Sequence, residues 1–305
     1  MRRRLRPFGI TFDLIGDDGR VFDAAAAALA RFPRDAGAEG HLQLEVRTGC
    51  DGPDDPAWPI TAVRLSPDRR SLTLRCGSAR LDADIAAGRA CAVVPPSLLA
   101  LPDALRMIVE GAFSALAINA GLLHAVHAGL VRHRGRGLLL RGPSGAGKST
   151  LTYALLAAGC HVVSDDWTYA VAGGAPGRLW GYPWRLFLVD EALPYFPELA
   201  GAPRVPHPGA DRIKLAIEPP PARRRRGAAL DAVVFLDPAP ELDVRRVDAQ
   251  EAQRRFWDPA LPTERDGLPA DWVEALLARP TYVLQRGRDP HAAAAALQEL
   301  ADSLR

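Results

Sequence analysis

The segment from Gly142 to Ser149 limits the folds and ligands that are possible for this chain more than any other part of its sequence. It reads GPSGAGKS and fits the phosphate-binding pattern G-x-x-x-x-G-K-[ST], known as Walker A. In such a loop the glycines let backbone N–H groups turn toward the phosphates, the lysine reaches the β/γ oxygens, and the hydroxyl ligates Mg²⁺. The candidate nucleotide-binding residues are therefore Gly142, Pro143, Ser144, Gly145, Ala146, Gly147, Lys148, Ser149 and Thr150.

The residues on both sides of this loop agree with the motif. Residues 137–141 form a short apolar run that predicts a strand, and residues 149–158 predict a helix that ends at Gly159. Strand, loop and helix in this order are the context that the motif requires. A glycine-rich turn that binds nothing would leave the Gly-Lys-Ser triplet without a reason, so we expect ATP and Mg²⁺ as ligands.

Composition excludes several other classes of protein. The chain has 305 residues, 48% of them apolar, and a net charge of +2, which is not the charge of a nucleic-acid-binding protein. Its four cysteines form no C-x-x-C pair, which is typical of a reducing cytosol and indicates no zinc site. The apolar stretch 112–131 carries polar side chains that are costly in a membrane, so it predicts a buried helix over 103–122 and a strand at 128–131. We therefore expect a cytoplasmic protein with neither a membrane nor a nucleic acid as partner.

The pattern of hydrophobic residues changes near residue 103. Residues 1–103 hold short alternating runs separated by turns rich in Asp, Gly and Pro, which predict a smaller, strand-rich N-terminal domain. From residue 104 to residue 305 helical patterns alternate with apolar strands, the pattern of an α/β nucleotide-binding domain.

Two adjacent carboxylates follow the helix after the loop. The segment HVVSDD places Asp165 and Asp166 at 17 and 18 residues past Lys148, a separation of one helix and one strand. The chain has then returned to the end of the sheet where the phosphates bind, so one aspartate can hold Mg²⁺ while the other accepts the proton of an attacking hydroxyl. His127, 21 residues before Lys148, is predicted to open the strand that precedes residue 137.

These three segments together resemble a known family. The run His127-Ala-Gly-Leu-Val, the Walker A loop, and Gly-x-x-Val-Val-Ser-Asp-Asp at this spacing resemble the bacterial HPr serine kinase/phosphorylase, and more closely the HPr-kinase-related group called HprK-related kinase A. The resemblance covers about residues 120–170. It implies a P-loop domain of the HPr kinase/PEP carboxykinase-like type and a serine kinase that uses ATP and Mg²⁺.

The resemblance also implies roles for single residues. Lys148 and Ser149 would bind the phosphates and Mg²⁺, Asp165 would accept the proton, and Asp166 would face the metal. Two adjacent carboxylates cannot be ranked from sequence, so the assignment of the two aspartates stays open. His127 would lie beside this pair and tune it, although a histidine satisfied within the core is the alternative.

The chain departs from the family pattern after residue 170. Glu191 stands where a further metal carboxylate is expected, but its flanking motif is missing. Arg212 or Lys214 is the loose counterpart of a family arginine that neutralises the transferring phosphoryl group; the alternative is a solvated basic loop. These departures argue against HPr itself as the acceptor and against the reverse phosphorolysis. The resemblance to related kinases implies instead a serine on another peptide or small protein, for which a modified-peptide precursor is one expectation.

Other functions remain open at this stage. The run Val-Val-Phe-Leu-Asp ending at Asp237 resembles a Walker B strand, which would make the chain a conventional P-loop ATPase or switch; an Asp-Pro turn closing a buried strand is the alternative for Asp237. A small-molecule kinase and a non-catalytic nucleotide sensor are the other candidates. Members of the family are often oligomeric, so a homo-oligomer is a further expectation, although no sequence feature indicates an interface.

Overall fold

The computed structural model describes residues 1–50, 62–66, 68–175, 177–182, 184–206 and 213–304. It is a mixed α/β protein that contains several β-sheets. The chain divides into two compact units, of which the first comprises Met1–Leu123 and Pro206–Ile213, and the second His124–Val205 and Lys214–Arg305.

Up to Asn119 the described chain forms a mixed sheet and two α-helices. The elements are β1 (Arg2–Leu5), β2 (Thr11–Gly16), α1 (Gly19–Leu29), β3 (His41–Thr48), β4 (Ala62–Leu65), β5 (Ser71–Cys76), β6 (Ala79–Asp84), β7 (Arg89–Val94) and α2 (Pro102–Asn119). The seven strands lie in the order β1-β2-β3-β7-β6-β5-β4. The alternating apolar residues of these strands bury one face, and Phe8, Phe12, Phe32 and Phe113 pack there with ring centroids 5.0–6.0 Å apart.

Helix α2 belongs to the first unit. The units divide between Leu123 and His124, which is 20 residues after the boundary predicted at 103/104. The helix continues the apolar pattern that follows residue 103, but it buries Ile108, Val109 and Phe113 against the N-terminal elements. The predicted buried helix over 103–122 is therefore confirmed. It belongs to the first unit, whereas the prediction placed it in the second domain. No helix in the described ranges is long and apolar enough to cross a membrane.

From Leu123 onward the described chain forms three further sheets and five α-helices. The elements are β8 (Leu123–His127), β9 (Gly129–His133), β10 (Arg136–Arg141), α3 (Lys148–Ala157), β11 (His161–Ser164), β12 (Trp167–Val171), β13 (Arg178–Gly181), β14 (Leu186–Leu188), β15 (Arg204–Pro206), β16 (Ile213–Ile217), β17 (Gly227–Ala229), β18 (Ala232–Asp237), β19 (Leu242–Arg246), α4 (Ala249–Trp257), α5 (Pro262–Gly267), α6 (Ala270–Leu277), β20 (Thr281–Arg286) and α7 (Pro290–Ser303). The strand orders are β11-β9-β10-β18-β20-β19, β17-β13-β12-β8 and β14-β16-β15.

Strand β10, near the centre of the six-stranded sheet, is buried on both faces. Successive residues of a strand point to opposite faces, so Leu138 and Leu140 pack with helices α3 and α7, whereas Leu139 packs with helices α4 and α6. The predicted strand over 137–141 and the helix from Ser149 to Ala158 are confirmed as β10 and α3. The prediction for His127 was wrong in one respect, because this residue ends β8 and the next strand begins at Gly129, where the chain passes from the four-stranded sheet to the six-stranded sheet.

Candidate functional site

Five chain segments meet at one edge of the six-stranded sheet. Strand β10 is parallel to β18, and β18 is parallel to β20, so the residues that follow these three strands emerge at the same edge. Strand β9 is antiparallel to both β10 and β11, which brings the end of β11 and the start of β9 to that edge as well. The Walker A loop after β10 thus lies beside the segment Asp165–Asp166 after β11. Ligands of α/β sheets bind at such an edge.

The loop has the backbone conformation that its glycines permit. Gly145 and Gly147 have φ angles of +82° and +90°, in the left-handed region that favours glycine. A Cβ atom at Gly145 would meet no other atom within 4 Å, so open space adjoins the loop there. Gly147 directly precedes helix α3, and the free N–H groups of a helix N-terminus attract anions. This loop fits a phosphate group.

Lys148 is held against the loop and is only 7% exposed. Its Nζ donates hydrogen bonds to the carbonyl oxygens of Gly142 at 2.8 Å and Pro143 at 3.1 Å. Burial lowers the pKa of this amine, and the negative charges of Asp166 and Asp165 oppose that shift. The lysine and both aspartates therefore act on one another electrostatically across the site.

Asp165 is a buried carboxyl beside the loop. Burial, followed by repulsion from Asp166, raises its pKa to about 7, while a hydrogen bond with Ser149 acts in the opposite direction. Its Oδ2 accepts a hydrogen bond from the backbone N–H of Phe187 at 3.4 Å. Its Oδ1 is buried with no hydrogen-bond partner among the described residues. Such a carboxyl changes protonation near neutral pH, as a general base requires.

The neighbouring carboxylate has a different environment. The Oδ1 atom of Asp166 lies 2.7 Å from Nε2 of His127, and the Asp166 side chain is 59% exposed. The ring of His127 also packs near Trp167, with centroids 5.6 Å apart. The structure therefore brings His127, Lys148, Ser149, Asp165 and Asp166 together, and it gives the two aspartates distinct partners that their adjacency in sequence could not reveal.

A buried ion pair lies behind this group of residues. Arg141 and Glu264 are each 1% exposed and approach to 2.7 Å between Nη1 and Oε1. Glu264 Oε1 also accepts a hydrogen bond from the backbone N–H of His127 at 3.0 Å, and the Arg141 guanidinium donates to the carbonyl oxygens of Phe256 and His127. This pair fixes the backbone at the point where β8 ends.

The sequence reasoning did not identify Arg141 or Glu264 as part of the site. One available signal was the charged residue at the end of the apolar strand β10, directly before Gly142. Glu264 is 123 residues away from Arg141, and no sequence pattern connects the two.

Of the remaining residues predicted for the site, the structure places only some near Asp165. The positive charge of Lys214 lowers the pKa of Asp165, which places this lysine near the site, whereas Arg212 lies outside the described residues. Glu191 is exposed in a short 3-10 turn over Asp190–Ala192, and no group of three or more His, Cys, Asp or Glu side chains in the described ranges is arranged to hold a metal ion. Mg²⁺ keeps several waters and substrate phosphates as ligands, so one hydroxyl and one carboxylate of the protein suffice for it.

Asp237 ends strand β18 at the same edge. Its carboxylate lies 3.6 Å from Nη2 of Arg255, and its side chain is 36% exposed. This ion pair gives Asp237 a structural partner, as expected for the residue that closes a buried strand.

A separate cavity of about 580 Å³ lies at the opposite ends of β9 and β11. It is lined by His133 and His161 and by residues near the end of helix α3, and it contains none of the predicted site residues. The cavity is therefore distinct from the Walker A loop.

The comparisons with known proteins give a distant structural likeness only. No family model matches the sequence, and no curated protein matches it. The chain is similar to the solved structure of the HPr(Ser) kinase/phosphatase from Coxiella burnetii, with 14% sequence identity, coverage of 58% of this chain and 90% of that chain, and a TM-score of 0.33. A likeness at this level carries no argument about activity, so the function has to be argued from the geometry of the site.

The raised pKa of Asp165 predicts a stability effect that depends on pH. The folded state disfavours the ionised carboxyl, so this unfavourable contribution is absent below pH 4, grows as pH rises, and is complete above pH 7. We expect Asp165→Asn to raise the free energy of unfolding by about 1–3 kcal/mol at pH 8 and to change it little at pH 4. Urea unfolding at the two pH values measures this, with Asp237→Asn as the matched control. An equal effect of Asp165→Asn at both pH values would contradict the prediction.

Proposed function

We propose that this chain is an ATP-dependent, Mg²⁺-dependent kinase that phosphorylates a serine hydroxyl of a peptide or small protein. The observation that carries the proposal is the position of the buried Asp165 carboxyl, with a pKa of about 7, beside Ser149 of a Walker A loop. A Walker A loop indicates a nucleotide as the ligand. A carboxyl that can accept a proton near neutral pH adds the capacity to activate a hydroxyl. The cytosol is the compartment that we propose for this reaction.

Each residue would have a defined part in the transfer. The loop amides and Lys148 would bind the phosphates and neutralise the β/γ oxygens. Ser149 and Asp166 would hold Mg²⁺, which supplies further neutralisation of phosphate charge. His127, hydrogen-bonded to Asp166, would fix the orientation of that carboxylate. The arrangement resembles other phosphoryl-transfer sites, in which positioning and electrostatics contribute most of the catalysis.

The proposed transfer forms one bond, breaks one bond and moves one proton. A bond forms between the serine oxygen and the γ-phosphorus, and the bond between that phosphorus and the β,γ-bridging oxygen breaks, so that ADP leaves. The proton of the serine hydroxyl passes to Asp165. Lys214, whose positive charge acts on Asp165, would add to the neutralisation of the transferring group.

A transfer assay tests the proposal directly. ATP labelled in its γ-phosphate is incubated with the protein, Mg²⁺, and serine-containing peptides encoded beside the gene, with HPr as a further acceptor. We expect label on a peptide serine, and Lys148→Ala should reduce this transfer by about 100-fold or more, because the charge that faces the β/γ oxygens is lost. Release of free phosphate without a labelled acceptor would instead favour an ATPase.

A further inference from the structure

Arg286 lies at the same sheet edge as the Walker A loop but on the other side of it. It is the last residue of β20, which is parallel to β18 and lies two strands from β10. A Cβ atom at Gly147 would lie 3.2 Å from Nε and 3.4 Å from Cζ of Arg286. The guanidinium group therefore packs directly against Gly147, the glycine that precedes helix α3.

The Nε atom of this arginine is buried and has no hydrogen-bond partner among the described residues. A buried N–H without an acceptor destabilises the protein, and more so when the group is charged. At the same edge, the Asp237 carboxylate already lies 3.6 Å from Arg255. A positive group with an unsatisfied donor beside a phosphate-binding loop is suited to an anionic oxygen of the ligand.

The sheet order gives the bound nucleotide a direction. In the order β11-β9-β10-β18-β20, the segment with Asp165 and Asp166 follows the strand on one side of β10, and Arg286 ends a strand on the other side. The phosphoryl group that reacts must point toward the aspartates. The opposite end of the phosphate chain, next to the nucleoside, then points toward Arg286.

We propose that Arg286 binds the phosphates nearest the nucleoside and so sets the direction in which a nucleoside triphosphate lies in the loop. This inference rests on the proposed function, since it takes the aspartate side as the reacting end. Arg286 would act in binding and positioning, and Lys148 would face the β/γ oxygens from within the loop. The ligand class is a nucleoside di- or triphosphate, because both carry the phosphates that Arg286 would contact.

Calorimetric binding of ADP and of a non-hydrolysable ATP analogue, both with Mg²⁺, tests this. We expect Arg286→Gln to weaken both nucleotides by about 10- to 100-fold and by the same factor, because a charge-assisted hydrogen bond to a shared phosphate is lost. Arg286→Lys keeps the charge but lacks the planar guanidinium, so its affinity for each nucleotide should lie between those of the wild type and Arg286→Gln. Arg288→Gln, two residues on and exposed, is the matched control and should bind like the wild type.

The outcomes separate this inference from the proposed function. Binding by Arg286→Gln within twofold of the wild type would overturn the inference, and so would a loss confined to the triphosphate, which would put Arg286 at the γ-phosphate. Failure of the wild type to bind any nucleotide would overturn the proposed function instead. If Arg286→Gln does not fold, judged by its circular dichroism, the Arg286→Lys variant decides: unchanged affinity for both nucleotides overturns the inference, and a shared loss supports it.

Discussion

Replacing Asp165 with Asn should lower kcat for phosphoryl transfer by about 10²- to 10⁴-fold while ATP still binds. The amide keeps the shape of the buried carboxyl but cannot accept the proton of the acceptor hydroxyl, and general bases contribute factors of this size. The wild-type rate should also rise with pH as Asp165 ionises, because only the ionised form of Asp165 can accept a proton. Steady-state transfer at saturating ATP and Mg²⁺, measured from pH 5.5 to 8.5, checks both statements.

Two comparisons keep this prediction specific. Asp237→Asn is the matched control at the same sheet edge and should leave kcat within about threefold, because its partner is Arg255. Asp165 also contacts Ser149, so the Mg²⁺ dependence of nucleotide binding must be measured for the Asp165 variant. Unchanged transfer in Asp165→Asn would refute its role as the base, and a loss only in Asp237→Asn would point to the ATPase alternative.

Replacing Glu264 with Ala should lower the free energy of unfolding by about 3–5 kcal/mol. The change leaves the guanidinium of Arg141, which is 1% exposed, without its counter-charge, and an uncompensated buried charge has this cost. It also removes the acceptor for the backbone N–H of His127, so we expect transfer activity to fall as well. Urea unfolding followed by circular dichroism measures the stability change.

Matched variants distinguish the buried pair from a general effect of losing a glutamate. Glu274→Ala removes an exposed helical glutamate and should change the free energy of unfolding by no more than about 0.5 kcal/mol. The double variant Arg141→Met with Glu264→Leu should recover part of the loss, because apolar residues of similar volume replace buried ion pairs at little cost. A loss below about 1 kcal/mol in Glu264→Ala would mean that water reaches Arg141.

Residue types and spacing along the chain were sufficient to predict the Walker A loop and the strand and helix on either side of it. Gly145 and Gly147 take left-handed conformations that glycine favours, and the apolar run before them forms strand β10. These features depend on residues close together in the chain, so spacing and residue type are enough to indicate them. The adjacency of Asp165 and Asp166 to the loop follows in the same way, because one helix and one strand return the chain to the same edge.

The tertiary structure alone decided how these residues differ from one another. Burial raises the pKa of Asp165, whereas its neighbour Asp166 lies exposed beside His127, and solvent access is set by elements far along the chain. Helix α2 joined the first unit, because the face it buries is complementary to the N-terminal elements.

The sequence by itself therefore determined the Walker A loop and the pair of carboxylates, since both depend on short-range order along the chain. The tertiary structure decided the surroundings of that loop: Glu264 reaches Arg141 from 123 residues away, and Arg286 reaches Gly147 from the end of strand β20. The physical reason is that burial and electrostatic environment depend on which distant segments pack together, and no local pattern of residues specifies that.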